Sequence, residues 1–311
     1  MLFIESLWLD QKEEFGIINA EHNLWNTWKQ YAGEDKFQRF SFDEYFKRNN
    51  APGDKACLEL VESWKPDIIL LDWHIGSKLN PTPETLREIH NKKKTPVVAV
   101  WWDHLWKAHI TIGDMLQYWI DLNVVVDTSA FFNQVNEPNK FLFLWTPQDK
   151  NLYHYCEDKY VESGFYGRLK KCERENIILK VHEAIPEFNF AGGRREKPFA
   201  RDEYAKAYRH TAMVVNFSSS QSGMPQLVGR TLEATLSNCL LLEEANPETR
   251  GMFKVDEEFV EWKTADELIE KIKYYTQHWE ERKKIAKAGC DRATKYYNSN
   301  IWWDTVVRAV A

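Results

Sequence analysis

The feature that most restricts the fold of this chain is a set of short, continuous apolar runs recurring between helical stretches. Asp67-Ile-Ile-Leu-Leu-Asp72, Pro96-Val-Val-Ala-Val100 and Leu122-Asn-Val-Val-Val126 show almost no polar alternation. A strand with one wet face alternates, whereas a continuous run marks a strand buried on both faces, as in a parallel sheet between helix layers. Leu2-Phe3-Ile4 opens the series and Lys140-Phe-Leu-Phe-Leu144 closes its first half. The intervening segments read as helices: Cys57 to Trp64, stopped by Pro66; Thr82 to His90, with Thr82 as cap and Pro83 in the first turn; and Asp114 to Ile120.

Trp145-Thr-Pro-Gln-Asp149 interrupts the pattern, and a second alternation follows. Strands are expected over Lys159 to Glu162, Ile177 to Val181, Met213 to Phe217 and Cys239 to Leu242. Helices are expected over Arg201 to His210, Leu227 to Leu236, Ala265 to Trp279, Glu280 to Tyr297 and Asn300 to Val310. Two successive series imply an α/β chain of two Rossmann-like domains, 1–147 and 148–295, with a final helix over 296–311. Parallel sheets bind ligands at the carboxyl ends of their strands, so a central cleft faced by both sheets is the expected site.

Composition removes several classes. No apolar run reaches the roughly 18–20 residues that span a bilayer. The start, MLFIESLWLDQ, lacks the basic and apolar regions of a signal peptide, and five cysteines form no CxxC pair, so a cytoplasmic protein with reduced thiols is expected. A net charge of −6, from 41 basic and 47 acidic residues, argues against nucleic acid as a partner. The 14 Trp, 13 Tyr and 17 Phe suit sugar stacking but also fill cores, and the core takes most of them. There is no D-x-D, HExxH or paired CxxC, so no metal site is expected. No GxGxxG follows the first strand and no GxSxG is present, which argues against a nicotinamide enzyme and a serine hydrolase. Asp67 to Asp72 and Thr95 to Val98 look like parts of a response-regulator receiver, but Glu5-Ser-Leu-Trp8 lacks the acidic pair that holds its Mg2+.

The stretch richest in chemistry runs from Asn216 to Glu233. A strand ends in a Ser/Gly-rich loop, including Ser218, Ser219, Ser222 and Gly223, and a helix begins near Gln226. Hydroxyls and free amides at a helix N-terminus make an anion site. Arg230 and Glu233, three residues apart, share one helix face. The arginine can grip a diphosphate and the carboxylate can accept both hydroxyls of a ribose. Spacing alone equally describes, and favours, an internal ion pair on a solvated helix. In the first half, Trp101-Trp-Asp103-His104 follows a buried strand. Asp103 could stabilise a cationic transition state or take a proton, and His104 could bind a sugar hydroxyl. Asp103 fits a helix N-cap equally well. Asp72, Trp73, His74 and His109 are secondary candidates.

The second half resembles the C-terminal domain of GT-B glycosyltransferases, specifically the spore-maturation CgeB-like group among the retaining family 4-type enzymes. The likeness rests on Tyr160-Val-Glu-Ser-Gly164 with Arg168, Gly192-Gly193, Glu203-Tyr204-Ala205, Met213-Val-Val-Asn-Phe-Ser218, Gln226, Gly229-Arg230, Leu232-Glu233-Ala234, Leu240-Leu-Leu-Glu243-Glu244 and Tyr296-Tyr-Asn298. The resemblance implies a GT-B fold whose last helix returns to the first domain, anchored by Trp302 and Trp303. It implies a nucleotide diphosphate sugar as donor, guessed as a UDP-sugar, an unnamed acceptor hydroxyl, and no cofactor or metal. In that reading Arg168, Arg230, Ser218 and Ser219 hold the diphosphate. Glu233, Gly192, Gly193 and Arg194 serve the ribose and base; Ser222, Gly223 and Gln226 face the donor sugar; Asp103 and His104 are catalytic. Glu233 matches the second Glu of the family's E-x7-E motif, while Pro225 stands where the first would be. That departure leaves a nucleotide-sugar-binding module, or an epimerase or hydrolase on the same fold, as alternatives.

Overall fold

A computed structural model describes residues 1–73, 77–93, 95–102, 118–130, 132–169, 173–192, 200–218 and 226–311. The chain divides into two compact units, Met1–Trp145 with Asn300–Ala311, and Thr146–Ser299.

In the first unit, β1 (Leu2–Glu5) leads to α1 (Asn26–Ala32), β2 (Gln38–Ser41), α2 (Phe42–Asn49) and α3 (Asp54–Trp64). Then come β3 (Ile69–Asp72), α4 (Pro83–Glu88), β4 (Val97–Trp101), β5 (Leu122–Val125) and β6 (Phe141–Phe143). The six strands form one parallel sheet in the order β2-β1-β3-β4-β5-β6. Alternate residues of each run face opposite sides, and both sides are covered. Leu2, Ile4, Ile69, Leu71, Val97 and Ala99 pack in one core, while Phe3, Leu70, Val98, Val100 and Val124 pack in another. Two buried faces per strand are why these segments carry no polar alternation. Thr82 caps α4 as its sequence suggests, its hydroxyl accepting the Thr85 N–H at 3.3 Å.

In the second unit, β7 (Val161–Tyr166) is followed by α5 (Glu173–Ala184), β8 (Asn189–Ala191), α6 (Arg201–His210), β9 (Thr211–Asn216) and α7 (Gly229–Leu236). β10 (Leu240–Glu244), α8 (Pro247–Met252), β11 (Val260–Trp262), α9 (Ala265–Gln277) and α10 (Trp279–Tyr296) complete it. Its five strands form a second parallel sheet in the order β11-β10-β9-β7-β8.

The last helix, α11 (Ser299–Val310), belongs to the first unit from Asn300 onward. Trp302 and Trp303 are fully buried against Phe3, Leu70 and Val98. The Trp303 indole N–H donates to the Thr27 hydroxyl at 2.9 Å, and Tyr31 donates to Asp304 at 2.7 Å. Burial of the two indoles ties the far end of the chain to its first strand.

One expected strand is a helix. Ile177 to Val181 lies inside α5, where Ile178 and Val181 are buried and Leu179 is exposed. That three-residue spacing is helical, and a short run of three apolar residues followed by Lys180 and Val181 does not by itself distinguish the two structures. The strand expected at Lys159 to Glu162 runs instead over Val161–Tyr166. The strands that no apolar run announced, β2, β8 and β11, are all sheet edges, where one side of the strand needs no partner and little apolar sequence. The helix expected over Asp114 to Ile120 lies largely outside the described residues. Among the described residues no helix is long and apolar enough to cross a membrane.

Candidate functional site

The second sheet reverses its winding between β7 and β9: from β7 the chain moves outward to β8, then returns to the other side of β7 as β9. The carboxyl edge at such a reversal is left open because the following connections diverge to opposite faces. Tyr166, Asn216 and Glu244 end the three strands β7, β9 and β10 at that edge. α7 starts near this edge, with Arg230 in its first turn.

Arg230 reaches across both strands. Its Nε donates to Asn216 Oδ1 at 2.8 Å, and its guanidinium carbon lies 5.9 Å from the centre of the Phe165 ring. A Cβ on Gly167 would sit 3.3 Å from Arg230 Nη1, so a bare backbone lies alongside the guanidinium. Burial works against its charge, but Tyr204, Tyr208, Glu233 and Glu243 outweigh it and hold the group protonated. Among the described residues the Nε bond is the one hydrogen bond of this guanidinium.

Glu233 lies one turn further along α7 and is 9% exposed. The expected alternative, an ion pair on a solvated helix, does not describe this helix, because Thr231 to Leu236 are all buried. Glu233 Oε2 accepts the Tyr204 hydroxyl at 3.0 Å, and Tyr204 and Tyr208 hydroxyls lie 3.1 Å apart. Both tyrosines project from α6, four residues apart and therefore on one face. Burial pushes the Glu233 carboxyl up to about 7, against the opposing pull of Arg230 and the two tyrosine hydroxyls. A Cβ on Gly229 would meet Glu233 Oε1 at 3.5 Å and Gln148 Nε2 at 3.4 Å, so this part of α7 is closely lined. The site thus offers a cation and a carboxylate, about one helical turn apart, at an open sheet edge.

The remaining expected residues fall into two groups. Arg168 is half-buried just past β7, two residues beyond Tyr166. Gly192 follows β8, and a Cβ there would come within 2.3 Å of the Gly167 carbonyl oxygen, so only glycine permits this approach of the two loops. Ser218 is buried; its N–H donates to Glu244 Oε2 at 3.0 Å and its hydroxyl to the Glu244 carbonyl at 3.1 Å. Gln226 gives its N–H to the Ser218 carbonyl at 3.0 Å and takes Asn246 Nδ2 on its own carbonyl at 2.9 Å. Ser218 and Gln226, eight residues apart in sequence, are therefore joined directly. Asp103, His104, Gly193, Arg194, Ser219, Ser222 and Gly223 lie outside the described residues.

Sequence reasoning did not single out Asn216, Glu243, Tyr204 or Tyr208 for a role at this site. The first two had a signal: each is a polar residue directly after a run of buried apolar ones, at the carboxyl end of a central strand. In the first unit the equivalent reversal, between β1 and β3, carries Glu5 and Asp72. Asp72 accepts the Trp102 indole N–H at 2.9 Å, and burial lifts its carboxyl to about 6. Glu5 pairs with Arg39, yet burial still lifts it to about 8. Among the described residues no group of three or more His, Cys, Asp or Glu side chains is placed to hold a metal ion.

Residues 173–308 match the model of a family described as glycosyl transferase-like. No curated protein matches the sequence. HepE from Anabaena, solved with UDP and glucose, superposes with a TM-score of 0.68 at 13% identity, covering 99% of this chain and 100% of that one. A glycosyltransferase from Rickettsia africae gives 0.63 at 10% identity, over 99% and 97% of the two chains. Sucrose-phosphate synthase from Thermosynechococcus elongatus gives 0.59 at 9% identity, over 86% and 79%. The architecture, two helix-covered parallel sheets of six and five strands, is therefore the GT-B fold of glycosyltransferases, and most of its second unit matches a glycosyl transferase-like sequence.

Proposed function

We propose that the chain transfers a sugar from a nucleotide diphosphate sugar to an acceptor hydroxyl. The observation that carries this reading is the placement of Arg230 and Glu233 one helical turn apart at the carboxyl edge of the second sheet, each held by a partner of its own. Arg230, with Arg168, bears the diphosphate; Glu233 accepts the ribose hydroxyls. The donor is a UDP-sugar, a reading supported by HepE, which was solved with UDP and with UDP-glucose. The residues quoted above for the CgeB-like group, related to family 4, support a retaining reaction. In it the acceptor hydroxyl enters on the face from which the diphosphate leaves, the oxygen–sugar bond forms as the sugar–phosphate bond breaks, and the hydroxyl proton passes to the departing phosphate oxygen. The negative charge that develops on the leaving diphosphate is met by arginine rather than by a divalent ion. Asp103 and His104 remain the proposed groups on the acceptor side, and Ser219, Ser222, Gly223, Gly193 and Arg194 the proposed lining of the donor.

A thermal-shift screen against UDP, GDP, ADP, dTDP and CMP, without added metal, followed by UDP-glucose turnover, tests the reading. A ligand that binds only the folded state raises the melting temperature by mass action. A shift with UDP and sugar transfer support it. A shift without turnover identifies a binding module, and turnover that needs no acceptor identifies a hydrolase or epimerase. No shift with any nucleotide refutes the donor site.

A further inference from the structure

Glu243 is a fully buried carboxylate at the carboxyl end of β10. Its two oxygens lie 3.0 and 2.9 Å from Asn216 Nδ2, and Oε2 also accepts the Thr231 hydroxyl at 3.2 Å. A carboxylate accepts and a guanidinium donates, so the Asn216 amide between them has one workable orientation. Nδ2 must face Glu243, which leaves Oδ1 facing Arg230 Nε at 2.8 Å. The chain Glu243–Asn216–Arg230 is thus polarised along its length, with an anion at one end and a cation at the other.

We propose that Glu243 is a positioning residue: acting through Asn216, it holds Arg230 by Nε and leaves the two Nη groups for the donor diphosphate. This rests on the reading of Arg230 as a diphosphate ligand. An arginine side chain gives up much rotamer freedom when it grips an anion, and a guanidinium fixed beforehand has already given it up. Stability alone does not account for a carboxylate here. Burial opposes its charge and lifts it to about 7, although Asn216, Arg230 and Thr231 pull the other way. Where only packing is needed, a neutral side chain of similar volume serves as well or better.

Glu243→Gln tests the proposal. The carboxamide keeps the volume but replaces one of the two oxygens that meet Asn216 Nδ2 with an N–H donor and removes the charge that polarises the amide. Binding of UDP and of uridine is measured on wild type, Glu243→Gln, Arg230→Gln and the double variant. UDP affinity is expected to fall about 10- to 150-fold in Glu243→Gln, the range for loss of one charge-assisted contact. Uridine affinity stays unchanged, because uridine has no phosphate. The double variant binds UDP no more weakly than Arg230→Gln alone, because both changes act on one contact. Asn216→Ser, which cuts the link and keeps Glu243, carries the same test if Glu243→Gln does not fold.

Wild-type UDP affinity in Glu243→Gln, with loss in Arg230→Gln, overturns the relay and leaves the function standing. Equal loss of UDP and uridine means that Glu243 only supports the fold, and also overturns it. Wild-type UDP affinity in Arg230→Gln, or no UDP binding by wild type, overturns the functional reading itself and the relay with it.

Discussion

Glu233→Gln should make the protein more stable at pH 8 while weakening its hold on nucleotide. Glu233 is almost wholly buried, and burial raises its carboxyl from an ordinary 4.5 to about 7. A carboxyl raised in the folded state binds its proton more tightly there than in the unfolded chain. Its contribution to stability is therefore full below about pH 4.5 and is lost as pH rises through 7. At about 1.4 kcal/mol per unit, a shift of this size costs up to roughly 3 kcal/mol once the group is charged. Glutamine keeps the shape, and its carbonyl can still accept the Tyr204 hydroxyl, but it carries no charge to desolvate. At some 2–4 °C per kcal/mol, the variant should melt several degrees higher than wild type at pH 8. The two proteins should converge near pH 5. Isothermal titration with UDP at pH 8 should show the opposite order, with the variant weaker by about 1–3 kcal/mol, the worth of a charged hydrogen-bond pair. Melting curves from pH 5 to 8.5 on both proteins decide the matter. A variant less stable than wild type at pH 8, or a difference that does not change with pH, would refute the argument that this carboxylate is held charged at a cost.

Arg230→Ala removes the cation proposed for the leaving diphosphate and should lower turnover of donor by about 2–4 kcal/mol of transition-state stabilisation; kcat/KM equal to wild type contradicts the assignment. Tyr204→Phe takes one hydrogen bond from the Glu233 carboxylate, so the pH at which UDP affinity falls off on acidification should move upward, visible in binding isotherms from pH 5.5 to 8.5. Gly192→Ala drives a Cβ into the Gly167 carbonyl and should cost about 1–3 kcal/mol of stability by overpacking, together with nucleotide affinity; unchanged melting and binding would show that the two loops move apart freely. Trp303→Ala empties a fully buried site and removes the indole N–H that the Thr27 hydroxyl accepts, for an expected loss of about 3–5 kcal/mol in denaturant unfolding.

The sequence by itself determined the fold class, and the reason is burial. β3, β4, β5, β9 and β10 are central strands covered on both sides, so both faces of each had to be apolar, and a one-dimensional pattern carries that requirement. Edge strands bear no such requirement, and β2, β8 and β11 left no comparable trace. Ile177 to Val181 misled because four apolar residues in a stretch of five satisfy a strand and a helical turn alike; only packing, with Ile178 and Val181 inward and Leu179 outward, chose between them. At the site, Arg230 and Glu233 were visible as neighbours on one helix because three residues of spacing fixes their geometry. What they face was not visible. Tyr204 lies 29 residues before Glu233 and Glu243 lies 27 after Asn216, separations over which no local rule operates. The parallel sheet brings these groups to one edge, because every one of its strands ends on the same side. That common edge turned a pair read most simply as a surface ion pair into a half-buried cation and a buried carboxylate, each held by partners of its own.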